Sequence, residues 1–386
     1  MKIVFLGFAS YYTPGMAYQD NVFNSVLLAE GHEVTYLAAN DLFINGEIVD
    51  VEPGTEILSD GLKLVRLPYR RFFNATLAKK VRLFPNVESV LEREAPDIIY
   101  CHGVFYQPIW TAARYCRHHP QVRIYADTHA SYANSATSWL SLHLLHGIYY
   151  RFLYKRLEPL LTQMFYVGLE EKLFFEEVYH PQEKLLSFLP LGGLCPTDEE
   201  YRDMRTSARE ELSLRDDEIL LVHTGKMDQK KETEHLLRAF SNCKDFPGKL
   251  VLIGSIPEEV RDTLLPLIEA DPRILFLGWK NADELRRYLC ACDLYCQPGS
   301  VSATLQNAIC CRCPVLAYPH EGYLTHYNRG NILWTRSSGE TEAHLHTIAA
   351  DPTILKKMAS ISEAFGQEKL DYRALVRQFV PSAQTD

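Results

Sequence analysis

KIVFLGF, residues 2–8, and HEVTYLAA, residues 32–39, bracket a stretch from Gln19 to Ala29 whose apolar residues recur at helical spacing and which stops at Gly31. The two runs are continuous, apolar and rich in β-branched and aromatic residues, as strands covered on both faces are. With the helix between them they read as the βαβ unit of a parallel sheet. Gly31 suits the residue after a helix because it takes positive φ without steric cost. The alternation continues through LKLVRLPY (62–69), DIIYCHG (97–103), VRIYADTHA (122–130) and QMFYVGL (163–169). It breaks at LPLGGLCPTDEE (189–200), where Gly, Pro and acidic residues interrupt the helical pattern. Beyond the break EILLVHTG, KLVLIGS, RILFLGW, DLYCQPG and PVLAYP alternate with helical stretches, and EKLDYRALVRQFV (368–380) reads as a terminal helix before a frayed PSAQTD.

The fold class is therefore α/β, with two Rossmann-like parallel-sheet domains over residues 1–190 and 191–365. A C-terminal helix and tail, 366–386, is placed as crossing back to the first domain. Ligands of such sheets gather at the carboxyl ends of the strands, so an interdomain cleft is the expected site.

The 386 residues are enough for two cores, and 47% hydrophobic with 23% charged residues is a globular balance. A formal charge of 40 − 49 = −9 gives no support for a nucleic-acid partner. The opening apolar run is too short for a secretory signal, and no run reaches the roughly 18 apolar residues of a membrane span. A cytoplasmic location with ten reduced cysteines is the expectation.

Chemistry concentrates in HTGKMDQKKETEHLLRAF, residues 223–240. A strand is expected to end at Thr224, Gly225 to turn, and Lys226 and Lys231 to follow five residues apart. Two ammonium groups beside a strand-to-helix turn suit a diphosphate, whose oxygens also accept from backbone N–H groups. A solvated lysine run at a helix start is the bland alternative.

This segment resembles the glycine–Arg/Lys–five–Lys signature of the family 4 retaining glycosyltransferases of GT-B architecture, with Lys226 in the usual Arg position. KLVLIGS, then ILFLGWKNADELRRYLCACDLYCQPGS with Gly278, Asp293 and Pro298, and NAICCRCPVLAY from Asn307 follow in the family's order. In the first half SYYTPGMAYQ resembles the loop after strand one, with Gly15, LLAEGHEVTYLA the first-helix exit, and PDIIYCHG and ADTHASYA the segments carrying His102 and His129. The resemblance implies a metal-independent, hexosyltransferase-type enzyme that moves a sugar from a nucleotide-diphosphate sugar to a saccharide, lipid-linked saccharide or other acceptor with retention, as in polysaccharide biosynthesis. It implies His129, Lys226 and Lys231 as catalytic groups, and Gly15, Gly225, Gly278, Trp279, Ser300, Ser302, Ala303, Thr304 and Asn307 around the donor. His102 and Tyr12 fall on the acceptor side. No cofactor is implied beyond the nucleotide sugar, and the departing phosphate would take the acceptor proton on the same face.

One departure is large. The family's two glutamates, eight residues apart, fall on Gly299 and Asn307 of PGSVSATLQNA. Asn307 retains hydrogen-bonding capacity for a ribose, whereas Gly299 has no side chain to offer a sugar. Ser300, Ser302, Thr304 and Gln306 are substitutes of suitable chemistry, and a helix starting near Ser302 would aim N–H groups at an anion. The loss of both carboxylates motivates an alternative function, a catalytically impaired nucleotide-sugar-binding or partner-binding protein on the same fold. An epimerase or a phosphorylase of GT-B fold is a third class without a motif here.

Two cysteine clusters, Cys290, Cys292, Cys296 and Cys310, Cys311, Cys313, lack the paired C-x2-C of zinc folds and read as buried small hydrophobes. Two stretches, 69–85 and 139–161, interleave cations with aromatic and aliphatic residues. Each is either an ordinary amphipathic helix or a peripheral contact with an anionic membrane at its inner face.

Overall fold

A computed structural model of the chain describes residues 1–16, 18–44, 47–70, 79 and 81–381. It divides into two compact units, Met1–Pro190 with Val376–Asp386, and Leu191–Leu375.

Among the described residues the first unit contains ten strands: β1 (Lys2–Leu6), β2 (Glu33–Ala39), β3 (Asp41–Ile44), β4 (Glu47–Asp50), β5 (Gly54–Ile57), β6 (Lys63–Leu67), β7 (Ile98–Cys101), β8 (Arg123–Thr128), β9 (Leu161–Tyr166) and β10 (Leu186–Phe188). Eight form one sheet in the order β10-β9-β8-β7-β1-β2-β6-β5, and β3 pairs with β4 as a separate hairpin. All pairings in the large sheet are parallel except β5 on β6. The parallel strands are the apolar runs read from the sequence, and their side chains fill one core with the flanking helices. The helix Gln19–Ala29 ends as expected: Gly31 has φ of +83°, its N–H reaches Leu28 O, and His32 N–H reaches Leu27 O.

The second unit has one all-parallel sheet of β11 (Ile219–Lys226), β12 (Gly248–Ser255), β13 (Ile274–Phe276), β14 (Leu294–Gln297), β15 (Val315–Ala317) and β16 (Ile332–Trp334). Its order is β13-β12-β11-β14-β15-β16. Counted within the unit this is 3-2-1-4-5-6, the doubly wound order. The parallel strands of the first unit repeat it, with β6-β2-β1-β7-β8-β9 as its 3-2-1-4-5-6. Two sequences without detectable repetition thus build one topology twice. In both, the strand order reverses beside the first strand, at β1/β7 and at β11/β14, and the loops that open there are the ones that bind ligands in such sheets.

The terminal helix expected over 368–380 is broken into short pieces, Gly366–Leu370, Tyr372–Leu375 and Val376–Gln378. Asp371 breaks it. Its backbone is extended, and its buried carboxylate accepts from the N–H groups of Cys195 and Arg373 and from the Arg373 guanidinium. Residues 71–78 and 80 of the first basic-aromatic stretch, and 382–386 of the tail, lie outside the described residues. Among the described residues no helix is long and apolar enough to cross a membrane.

Candidate active site

In the second unit the loop after β11 is built by glycines. Strand β11 runs two residues past the expected Thr224, through Gly225 with φ of +118° to Lys226. Gly225 pairs with Gly254 of β12, and a Cβ on Gly254 would sit 1.9 Å from the Gly225 carbonyl oxygen. The close approach requires glycine at 254, and the positive φ favours it at 225. A short 3-10 turn over Gln229–Lys231 then folds the chain back before the helix Thr233–Asn242. The Lys231 side chain consequently lies over Gly225, its Cε 3.4 Å and its Nζ 3.8 Å from where a Cβ would stand.

Burial pushes the Lys231 ammonium below its ordinary pKa, with Asp228 opposing. Its one nearby acceptor is the Val301 carbonyl at 3.4 Å. Lys226 is exposed. The two lysines therefore flank a strand end at the switch point, and among the described residues no carboxylate forms an ion pair with either.

Gly299 closes the other side. A Cβ there would lie 2.2 Å from the Lys230 carbonyl oxygen and 2.4 Å from the Lys231 carbonyl carbon. Ser300 N–H donates to Lys230 O at 2.7 Å. The glutamate that the resemblance leads one to expect at this position is excluded by the backbone of the lysine turn itself. The helix start also differs from expectation: it is Thr304–Cys310, and Ser302 N–H donates to the Tyr323 hydroxyl at 2.6 Å. Thr304 N–H turns to Ser302 Oγ at 3.3 Å, and Leu305 and Gln306 N–H to Ser302 and Ala303 carbonyls, so the first turn is already engaged. Gln306 is buried and accepts from Gly192 N–H at 2.6 Å, which removes it from a sugar-binding role. Asn307 packs against Gly193, where its Oδ1 would be 2.8 Å from a Cβ. Ser300, Ser302 and Thr304 are half-buried and Ala303 exposed. Gly278 takes φ of +69° and accepts from Gly254 N–H, and Trp279 follows it with 76% of its surface exposed.

Sequence reasoning missed the polar framework beneath this loop. His223 is fully buried; its Nδ1–H donates to Cys296 O at 2.8 Å and its Nε2 accepts from the Thr233 hydroxyl at 2.9 Å. Burial lowers its pKa to about 4, the Cys296 carbonyl opposing and Lys231 adding, so the ring is neutral. Thr224, Tyr295, Gln297 and the Ser300 carbonyl form a second chain, with contacts of 2.9, 3.1 and 2.5 Å. His320 Nε2 reaches Gly299 O at 2.9 Å. Both chains tie the lysine turn and the Gly299 loop to the paired strands β11 and β14.

In the first unit the ends of β7 and β8 bring His102, Asp127 and His129 together. Asp127 is fully buried and accepts from Gly103 N–H at 2.7 Å and Tyr100 Oη at 3.0 Å. His102 Nδ1 is 3.0 Å from Asp127 Oδ2, and His129 Nε2 is 3.6 Å away. The last distance is ion-pair range without a direct hydrogen bond. The imidazole rings meet edge-on, 4.7 Å between centroids. Burial pushes His102 down, but Asp127 outweighs it and holds the ring up at about 9. Asp127 in turn is held far below the carboxylate range: burial raises it, and the two histidines more than reverse that. Among the described residues this trio is the one group of His, Cys, Asp or Glu side chains spaced to share a metal ion. The six clustered cysteines are buried and free.

The loop after β1 places Gly15 in an exposed turn at φ of +79°. Tyr12, expected on the acceptor side, is buried against Tyr36. It is 3% exposed, its ring 4.1 Å from that of Tyr36, and burial first of all pushes its hydroxyl up to about 12. The Tyr36 hydroxyl passes over Gly7, 1.9 Å from where a Cβ would stand, to reach Asp20 at 2.5 Å.

Residues 204–365 match the profile of the glycosyl transferases group 1. No curated protein matches the chain in sequence. Among solved structures, HepE of Anabaena in complex with UDP and glucose is 15% identical over 100% of both chains, with a TM-score of 0.62. Sucrose-phosphate synthase from Thermosynechococcus elongatus is 15% identical over 98% of this chain and 96% of its own, at 0.63. WaaG, a glycosyltransferase involved in lipopolysaccharide biosynthesis, is 14% identical over 99% and 100%, at 0.60. Matched segment and whole-chain fold agree with the loop glycines and lysines: residues 204–365 resemble the glycosyl transferases group 1, and the chain has the two-domain GT-B fold.

Proposed function

We propose that the chain transfers a hexose from a nucleotide-diphosphate sugar to a saccharide or lipid-linked saccharide, with retention and without a metal ion. The observation that carries this reading is the pair Lys226 and Lys231 around Gly225, two cations at a sheet switch point with no carboxylate of their own. A diphosphate supplies the missing counter-charge, and charge that builds on it as the sugar leaves is stabilised without reorganising the site. Trp279, exposed on a neighbouring strand end of the same sheet, offers a ring face for the base. The same-face route needs no enzyme nucleophile, in contrast to paired-carboxylate glycosidases. HepE with UDP and glucose is a solved neighbour whose ligand fits this chemistry. In this reading His102 and Tyr12 fall on the acceptor side, and His129 is a catalytic group against the acceptor or donor sugar.

Gly299 and Asn307 favour a second reading, a protein that binds the nucleotide sugar without turnover. Thermal shift against UDP, GDP, CMP and their sugars identifies the donor, because a ligand at about a hundred times its dissociation constant stabilises by about 2.7 kcal/mol. Incubation of that donor with candidate acceptors then separates the readings. Transfer with retained anomeric configuration, read by NMR, supports the enzyme; a thermal shift without product supports the binder; no shift with any nucleotide overturns both.

A further inference from the structure

The helical stretch Ser141–Tyr150, wound as a π-helix, runs directly into the helix Arg151–Leu157 of the first unit. Its inner face is ordinary core: His146, Tyr150, Leu153, Tyr154 and Leu157 are buried. The outer face is not ordinary. Leu140, Leu144, Ile148 and Phe152, four residues apart, are 61, 46, 63 and 45% exposed, and Trp139 beside them is 67% exposed. A helix covered on one side keeps polar residues on the other unless something else meets that side. The stripe ends in cations. Arg156 stacks its guanidinium 4.6 Å over Phe152 and 5.3 Å over Trp110, and Arg117 donates to the Arg156 carbonyl at 3.3 Å. Lys155 is engaged by Glu158, but among the described residues Arg117, Arg151 and Arg156 have no carboxylate partner. Residues 128–157 contain no Asp or Glu at all, in a chain whose net charge is −9.

We propose that this stripe seats the first unit on an anionic lipid surface, with Trp139, Leu140, Leu144, Ile148 and Phe152 among the acyl chains and Arg151 and Arg156 at the phosphates. From Leu140 to Phe152 a helix rises about 18 Å, too little to span a bilayer core of about 30 Å and suited to lying in its plane. Charge decides between occupants. A second copy of the stripe would bury guanidiniums against a surface with no carboxylate to meet them, whereas lipid phosphates supply the partner. The inference goes beyond the transfer reaction and does not depend on it.

Flotation of the full chain with vesicles tests it, using phosphatidylcholine alone and phosphatidylcholine with phosphatidylglycerol in equal parts. Binding is expected to the mixed vesicles and to be at least about tenfold weaker to the neutral ones. Ile148→Glu, at an exposed position, is expected to weaken binding to mixed vesicles about tenfold or more with melting temperature and donor-induced thermal shift unchanged. Arg151→Gln with Arg156→Gln is expected to erase the preference for anionic lipid. Failure of the native chain to float with the mixed vesicles, or equal flotation of Ile148→Glu, overturns the proposal. So does a concentration-dependent dimer that Ile148→Glu dissolves while lipid binding is absent.

Discussion

The two units share a strand order and use its reversal point in opposite ways. In the first, the charges there meet one another: Asp127 is buried, three hydrogen-bond donors reach it, and His102 keeps its proton because of it. In the second, among the described residues neither lysine forms an ion pair, and burial depresses Lys231 more than Asp228 raises it, with one backbone carbonyl at 3.4 Å. A satisfied ion pair organises the loops of its own unit. The lysines of the second unit have no ion-pair partner among the described residues. The same topology thus carries a satisfied polar cluster in the first unit and, in the second, the lysine pair proposed above to meet a diphosphate.

Breaking the satisfied side has the largest expected effect on the fold. Asp127→Ala is expected to cost about 3 kcal/mol, the lower end for a broken buried pair because His102 can shed its proton. Chemical denaturation checks it. The pH dependence has a definite sign. His102 is raised to about 9, so its contribution is complete below the unfolded value near ~6.5 and is lost as pH climbs through about 9. Asp127 is lowered, so its contribution is present above about 3.9 and is lost as acid protonates it. Asp127→Asn is expected to flatten the alkaline fall; an unchanged fall would assign it to other groups.

The unsatisfied side should respond in activity instead. Lys226→Ala and Lys231→Ala are each expected to lower kcat/KM about tenfold to a hundredfold, the worth of one charge-assisted contact. Neither is expected to destabilise the free protein, since Lys231→Ala removes a cation that burial disfavours. Near-normal turnover in both would return the lysines to a solvated run at a helix start.

What the sequence makes legible follows the same division. The strands are long apolar runs and were readable from composition and period, and Gly31 from its place after the helix. The lysine pair was readable because its spacing is local. Asp127 was not, although it lies two residues before His129 in ADTH. Its role depends on Tyr100, His102 and Gly103 from the neighbouring strand end, and no local pattern reports a partner about 25 residues away. His223, Tyr295 and Gln297 were hidden for the same reason, as polar residues inside runs that read as buried strand. Tyr12 lies in the loop after β1 as read, but its burial against Tyr36 was not legible, because that contact joins residues 24 apart.

Gly299 sharpens the comparison at the next level down. Restoring the family's carboxylate with Gly299→Glu puts a Cβ within 2.4 Å of the Lys230–Lys231 backbone, so the lysine turn has to move. An overpacking cost of about 1–3 kcal/mol and a loss of activity are expected, not a gain. Gly299→Ala carries the same Cβ without the charge, and an equal loss in the two variants would assign the effect to the close approach. Higher turnover in Gly299→Glu would mean that the turn yields and that the missing carboxylate limits the native enzyme.

Within the first unit's cluster the smaller effect on stability is expected at His129, and it separates the two histidines. His102 is tied to Asp127 at 3.0 Å, whereas His129 Nε2 stands 3.6 Å off and has no hydrogen-bond partner among the described residues. A buried ring nitrogen left without a partner calls for an explanation, and the reading proposed above supplies a substrate group. His129→Ala removes that atom while Asp127 keeps its Gly103, Tyr100 and His102 contacts. The free protein should lose less than about 1 kcal/mol, within the range of one neutral hydrogen bond, and turnover should fall by more than that stability change accounts for. His102→Ala should reverse the balance, with a larger fall in melting temperature. If His129→Ala lowered the melting temperature as much as His102→Ala and left the rate constant unchanged, His129 would belong to the internal cluster rather than to the substrate.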